Sequence, residues 1–470
     1  MRMRTISFYR WWQATQSYRR PALFAMLLLG FASGLPLALS FQTLSLWLFE
    51  DGLDLGDVVM FSLAGLPYTL KFVWAPFIDR LSFPVLGRAL GQRRGWLLAS
   101  QISVMGAIVI VGIFASAEHP LFTAMLVISL TFASATQDIV VDAYRIDRLS
   151  DEEQALGAAM VIYGYRVGML VSGGLGLILA DLVSWTAVYV VMAGFMLVGI
   201  LTTLMSKEPD QAAKNVVDQS ELVLRKSYAA RHGVRWAGIL AWLHVAVWQP
   251  LEDIILRKGW WAILLTVVLY RIGNSLESVT SNLFLVEHIG FSKTQVGLVV
   301  KGFGLVSLLT GVGVGAILLK NTSMFNTLLI CGVLQILSIF LFIVQAWAGP
   351  DMSVLAMTIT GENFATGMSS VAFVAFTSII CNKAFSASQF ALLSSLGAVP
   401  RTVLSSKAGV LVEMMGWIDF FAFAMVAAVP GVLLLFVLRK YNMGIPVPLG
   451  TNGKDAKDSK NGGDAIKCLS

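Results

Sequence analysis

ALGAAMVIYGYRVGMLVSGGLGLILAD, residues 155–181, is long enough to cross a bilayer and carries an arginine, Arg166, near its middle. A span needs about 20 mostly apolar residues to cover roughly 30 Å of hydrocarbon. A charge at that depth is expensive and is kept where it faces a water-filled path, a polar partner or a solute. Working outward, the chain repeats the pattern, with spans expected near 22–43, 57–78, 95–116, 121–144, 155–181, 185–205, 260–286, 293–319, 324–347, 352–380, 386–412 and 416–438. Arg271, Arg401, Asp138, Glu277 and Glu362 are the other main cases of charge deep inside them. With 57% hydrophobic residues, 13% charged residues and a mean hydropathy of +0.75, the chain is excluded from the ordinary soluble classes. The expected fold is an all-α membrane protein of twelve transmembrane helices.

Lys and Arg in short loops orient such a chain. The segment MRMRTISFYR with Arg19 and Arg20, the loop with Arg80, Arg88, Arg93 and Arg94, the pair Arg145 and Arg148, and Arg439–Lys440 are basic. The alternate loops, FEDGLDLGD (49–57), SAEHP (116–120) and DLVSW (181–185), lack them, and Lys293 is the exception. Both termini are therefore expected in the cytoplasm. The formal charge of +6 reads as topology and not as a nucleic-acid footprint. The first span is too long for a signal-peptide core and reads as an uncleaved anchor. Cys331, Cys381 and Cys468 do not form a disulfide or metal framework.

The polar stretch 206–259 divides the chain into an N-terminal six-helix bundle (1–205) and a C-terminal one (260–440), with a disordered cytoplasmic tail at 441–470. The linker core, KEPDQAAKNVVDQSELVLRKSYAARHG, reads as a charged loop, and WAGILAWLHVAVW (236–248) as an interfacial helix on the cytoplasmic face. Internal repetition supports the division. Ser150-Asp-Glu-Glu153 and Ser386-Ala-Ser-Gln389 both fit a capping box, each is followed by a mid-helix arginine (Arg166, Arg401), and Asp181 with Trp185 matches Glu413 with Trp417. Parallel repeats of this kind are expected of a major-facilitator transporter.

At about 100° per residue, several spans carry polar stripes. The fourth aligns Thr131, Ser134, Asp138, Asp142 and Arg145 beside Gln137; the seventh aligns Arg271, Asn274, Ser275, Ser278 and Asn282, with Glu277 at the edge. The tenth aligns Thr358, Glu362, Ala365 and Ser369, the eleventh Ser394, Gly397, Arg401 and Ser405, and the eighth Gly297, Lys301, Gly304, Gly311 and Gly315. Such faces line a cavity or another helix. Cations at one cavity suit an anionic substrate, because a guanidinium fork matches carboxylate or phosphate. Proton coupling needs a carboxyl group whose affinity for the proton responds to burial and to an approaching cation; Asp138, Glu277 and Glu362 are eligible. Blander readings stand beside these. Gly164 and Gly168 have the spacing that lets helix backbones approach, Lys407 fits a snorkelling side chain, and Lys71, Asp142 and Arg145 fit a structural ion pair as well. His119, His232, His244 and His288 lie outside the spans, and no nucleotide-binding loop or cofactor motif is present.

The runs GFASGLPLALS (30–40), KFVWAPFIDR (71–80), RRGWLLASQ (93–101), SATQDIVVDAYRID (134–147), GYRVGMLVSGG (164–174), NKAFSASQFALLSSLGAV (382–399) and AAVPG (427–431) resemble the AmpG family of muropeptide permeases, over about 22–440. The resemblance implies a twelve-helix major-facilitator fold in the bacterial inner membrane and import of anhydro-muropeptides driven by the proton gradient. It implies no cofactor and no catalysis; the partners are the sugar–peptide substrate, protons and membrane lipid, with the protein a monomer. It puts the family's Gln-Asp pair on Gln137 and Asp138 and its Gly-Tyr-Arg on Gly164, Tyr165 and Arg166. On helix seven Arg271 and Asn274 stand where the family pattern has Lys and Asp. The substrate-binding set expected is Arg166, Arg271, Arg401, Gln137, Lys301 and Asn274. KFVWAPFIDR is similar to the superfamily's cytoplasmic-gate motif, which makes Asp79 and Arg80, with Lys71, Asp142 and Arg145, the expected gate. The rivals are import of another bulky anion, such as an acyl-CoA-like solute, and a receptor that binds muropeptide without moving it.

Overall fold

Two pairs of helices cross closely enough that only glycine fits. In α5 (Asp151–Ala180), Gly164 and Gly168 lie against the Leu27 and Phe31 carbonyls of α1 (Pro21–Glu50), and Gly30 and Gly34 of α1 lie against Val161 and Tyr165. The second half repeats the device. Gly311 of α10 (Thr294–Asn321) abuts the Phe364 carbonyl of α12 (Met352–Ile380), and Gly367 abuts the Leu308 carbonyl in return. With no hydrophobic drive between helices in lipid, close backbone approach is what holds them. The small-residue spacing around Gly164 therefore has the packing role expected of it, and it fixes the helix that carries Arg166.

The computed structural model describes residues 20–53, 61–210, 212–232 and 234–440; the 441–470 tail lies outside them. All regular structure in these residues is helical. Besides α1, α5, α10 and α12, the long helices are α3 (Gln92–Phe114), α4 (Pro120–Arg148), α6 (Trp185–Met205), α9 (Trp260–His288), α11 (Met324–Ala348), α13 (Ser386–Met415) and α14 (Trp417–Lys440), with α2 the short Ala75–Arg80. One core lies within the first half (Ala32, Val104, Val127, Met192) and one within the second (Leu276, Phe284, Phe342, Phe421). A third, with Val140 and Ala158 against Val312, Val371 and Ala391, joins the halves.

Among the described residues, ten helices are long and apolar enough to cross a membrane. The second and eleventh expected spans fall short of that measure for different reasons. Residues 61–80 form short successive turns ending in α2, interrupted at Pro67 and Pro76, which lack the backbone donor a helix interior needs. Helix α13 has 30 residues, but its serines with Arg401, Lys407 and Glu413 make it too polar.

The linker corrects one expectation. Its charged core is not a loop: residues Ala212–His232 form helix α7, which pairs with a second helix, α8 (234–255). Residues 212–232 contain no Gly or Pro, and Val217 and Leu224, a heptad apart, seat the helix against Val245, Ala384 and Phe385. A charged face concealed an ordinary amphipathic stripe.

Gly164→Ala should cost about 1–3 kcal/mol through overpacking and lower the melting temperature in detergent. Gly174→Ala, on the same helix with nothing within 4 Å of its added carbon, should leave it unchanged. Equal melting temperatures for the two variants would remove the α1–α5 contact from the account.

Candidate functional site

Asp79, 1% exposed at the end of α2, accepts hydrogen bonds across the two halves. Its carboxylate takes the backbone N–H of Ala387 at 3.1 Å, that of Ser388 at 2.7 Å and the Ser388 hydroxyl at 2.6 Å. These are first-turn donors of α13, which lack intrahelical acceptors and favour a negative charge. Arg93 completes the knot, donating to Asp79 at 2.8 Å, to Asp147 at 2.7 Å and to the Ser386 hydroxyl at 2.9 Å. The capping box expected at Ser386–Gln389 is therefore not formed. Ser386 serves Arg93, and the Gln389 amide accepts from the Asn382 N–H at 2.7 Å and donates to Asp253 at 2.8 Å. Its counterpart at Ser150–Glu153 is formed.

Arg145 is the second tie at this end. Fully buried, it donates to Asp142 at 3.0 Å, to Gln154 at 3.1 Å and across to Ser378 of α12 at 2.9 Å. The ion-pair reading of Asp142 and Arg145 is thus the observed geometry. Arg80 points elsewhere: it donates to Asp218 of α7 at 2.8 Å and to Glu221. Phe77 of α2 packs on Trp242 of α8, with ring centroids 5.5 Å apart.

Deeper in the first half, Asp138 hydrogen-bonds Ser33 and sits in the fields of Lys71 and Asp142. Tyr68, which donates to Ser134 at 2.9 Å, and Tyr165 share that neighbourhood. Gln137 is fully buried, and its amide nitrogen approaches Ser33 of α1 at 3.4 Å, so it faces a helix and not open space.

A second cluster crosses the halves near mid-helix. Arg166 of α5 lies within electrostatic reach of Arg401 of α13 and Glu362 of α12, and Arg401 also repels Arg271 of α9. Glu362 accepts from Asn363 at 2.6 Å and from Thr366 at 3.0 Å, and Asn274 donates to Thr366 at 2.9 Å. Glu277, 1% exposed, couples electrostatically to Glu362, and its Oε2 has no hydrogen-bond partner among the described residues. The side chain of Lys301 lies outside the described residues. Consecutive residues link the clusters, since Tyr165 senses Asp138 and Arg166 senses Glu362. Among the described residues no group of three His, Cys, Asp or Glu side chains is disposed to hold a metal.

Sequence reading missed Asp147, Ser378 and Thr366 as site members. Thr366 was within reach, one turn beyond Glu362 on the same face. Ser378 and Asp147 acquire their role only from arginines on other helices.

Known proteins resemble this chain along most of its length. The family model for the Major Facilitator Superfamily matches residues 26–405. The anhydromuropeptide permease of Escherichia coli strain K12 is 39% identical over 429 residues, covering 91% of this chain and 82% of that protein. A putative transporter AmpG 4 of Rickettsia felis is 34% identical, covering 91% and 98%. Among solved structures, a proton:xylose symporter, XylE, superposes with a TM-score of 0.59 at 13% identity over 89% of this chain and 94% of that one. The human organic anion transporter MFSD10 gives 0.56 at 18% identity over 88% and 98%. The folds agree; these structures carry nothing further at such identities.

Asp79→Ala would leave Arg93 and the first turn of α13 without their shared acceptor. Breaking a buried charged pair typically costs about 3–5 kcal/mol, so hydrogen exchange at Ala387 and Ser388 should accelerate strongly, with Asp79→Asn intermediate. Unchanged exchange in the alanine variant would show that Asp79 does not hold α13.

Proposed function

The chain belongs to the major facilitator superfamily, in its anhydromuropeptide-permease (AmpG) branch, and from that premise we propose that it imports anhydro-muropeptides across the bacterial inner membrane, coupled to protons. The membership makes it a multi-pass membrane transporter and not an enzyme. The proposed carrier works by alternating access between two six-helix bundles, twelve spans in all, as a monomer with both termini in the cytoplasm. In support, α13 and residues 61–80 supply the two spans that the apolar measure leaves out, and the basic loops supply the orientation.

One observation carries the reading: Arg166 from the first half lies within electrostatic reach of Arg401 and Glu362 from the second near mid-helix. Cations drawn from both halves suit a solute held between them, and a muropeptide brings the carboxylates that guanidinium forks match. Arg166, Arg401, Arg271, Asn274, Gln137 and Lys301 are the proposed substrate set. In this conformation Gln137 would act through Ser33, so its contact with substrate belongs to another state of the cycle.

Protons are assigned to Asp138, with Glu362 and Glu277 as alternatives. Asp138 has a cation, Lys71, within its field, so a shift of Lys71 during the cycle would change its hold on the proton. Glu362 stands in the same relation to Arg166: a substrate carboxylate that engages Arg166 would weaken its pull on Glu362. Lys71, Asp79, Arg80, Asp142 and Arg145 form the proposed cytoplasmic gate, closed in this conformation. The bonds from Arg93 to Ser386 and from Arg145 to Ser378 support that assignment.

Counterflow in proteoliposomes with labelled anhydro-muropeptide separates a carrier from a receptor, because a receptor gives binding without exchange. Arg166→Ala and Arg401→Ala should each reduce uptake more than about tenfold, in line with roughly 2–5 kcal/mol for truncating one side of a buried charged contact. Lysine at either position should rescue poorly for want of the planar fork. Wild-type affinity in both alanine variants would sink the substrate assignment. Asp138→Asn should lose accumulation driven by a pH gradient while keeping energy-independent exchange. Should that variant still accumulate substrate and Glu362→Gln fail to, the proton site moves to α12.

A further inference from the structure

We propose that Arg271 and the pocket around it form a separate subsite for a carboxylate on the peptide arm of the solute, distinct from the position between Arg166 and Arg401. The proposal rests on the muropeptide reading above and specifies which chemical group is read, and where.

Helix α9 is interrupted at Tyr270 and Arg271, between Trp260–Leu269 and Ile272–Leu283. The break sets Arg271 into a small cavity whose wall is polar and uncharged: Asn274, Gln335, Thr366, Ser369 and Ser370. The guanidinium carbon stands 5.1 Å from the centroid of the Phe373 ring, so one face is stacked while the N–H edge remains available. Among the described residues no carboxylate pairs with Arg271, and the charge that reaches it is that of another cation, Arg401.

A cation beside a second cation, half-buried at membrane depth, is unfavourable until an anion enters. Neighbouring side chains do not supply one. The Glu362 carboxylate is engaged by Asn363 and Thr366, and Asn274, one turn along α9 from Arg271, is neutral. An acid at 274 would sit at the i,i+3 spacing that pairs charges on a helix; asparagine leaves the charge for a ligand. In this conformation the cavity measures only about 10 Å³, room for about one water-sized group, so the single fork edged by hydroxyl and amide groups suits the tip of one carboxylate and not a longer stretch of peptide. A solute with two separated anionic groups would span this pocket and the Arg166–Arg401 position together.

The test measures equilibrium binding to full-length protein in lipid nanodiscs. The ligands are an anhydro-muropeptide with a free C-terminal carboxylate, the same compound as its carboxamide, and the free stem peptide in both forms. Wild type should bind the acid at least about tenfold tighter than the amide, the scale for losing one side of a buried charged contact. Arg271→Gln should erase the preference, so that acid and amide bind with equal affinity. Asn274→Asp, which retains the arginine, should also erase the preference by occupying it. Equal binding of acid and amide by wild type overturns the subsite. So does a preference that survives in both variants, which would place carboxylate reading at Arg166 or Arg401. If neither sugar-bearing ligand binds, the muropeptide reading falls, and the free peptides decide the subsite: an Arg271-dependent preference for the acid upholds it, and no preference overturns it.

Discussion

A charge at membrane depth has to be answered by a polar partner, by water or by a solute, and this constraint arranges the molecule along its length. At the Asp79 end the arginines are answered by protein. Arg93 has Asp79, Asp147 and Ser386, and Arg145 has Asp142, Gln154 and Ser378. Each set draws on both halves, so satisfying the charges and joining the halves are one act. Toward mid-helix the balance changes. Arg271 and Arg401 repel one another, and Arg166 divides its field between Arg401 and Glu362. Among the described residues no carboxylate pairs with Arg271, and it is at this charge that the proposed function places an anionic group of the solute.

The close crossings at glycine make that geography possible. Because α5 is pressed against α1 by Gly164 and Gly168, the residues between and beside them have fixed directions. Tyr165 is held toward Asp138 and Arg166 toward the second half. A carboxyl cluster in one half and a cation–carboxyl cluster between the halves are thereby joined through adjacent residues of one rigid helix. For a coupled carrier this is a short route.

Much of this was legible in the sequence. Span length is a strong signal, and the stripe of Thr131, Ser134, Asp138, Asp142 and Arg145 falls on an interior face as its periodicity required. The repeated mid-helix arginine brought Arg166 and Arg401 into the same cluster. What escaped depends on partners distant in the chain. A serine followed three residues on by glutamine forms a capping box unless other helices take its parts, and at Ser386 Arg93 takes the hydroxyl while Asp79 takes the N–H groups of the next two residues. The helix at Ala212–His232 was hidden because charge content measures solvation and not helix propensity. The interruption at Tyr270–Arg271 contains no proline, and its one local sign, Gly273 followed by Asn274, lies just beyond it.

The linker then acquires a mechanical meaning. Asp79 and Arg80 are adjacent, yet one serves α13 and the other the acids of α7. The α7–α8 hairpin returns to the second half through Asp253, which accepts from Gln389, and through the packing of Val217 and Val245 on Phe385. A closed circuit results: α2 to α13 directly, and α2 to α13 again by way of the hairpin. Parting the halves at this end must break the direct bonds at Asp79 and then strain or release one arm of the hairpin. The Arg80 arm is the more exposed of the two, since Asp218 is 58% exposed in its side chain while the Gln389 end is buried. Arg80 itself is nearly buried and also pairs with Glu221, and Phe77 packs on Trp242, so both arms tie the hairpin to the helices they touch, and only the outer Asp218 contact is of the exposed kind that salt screens.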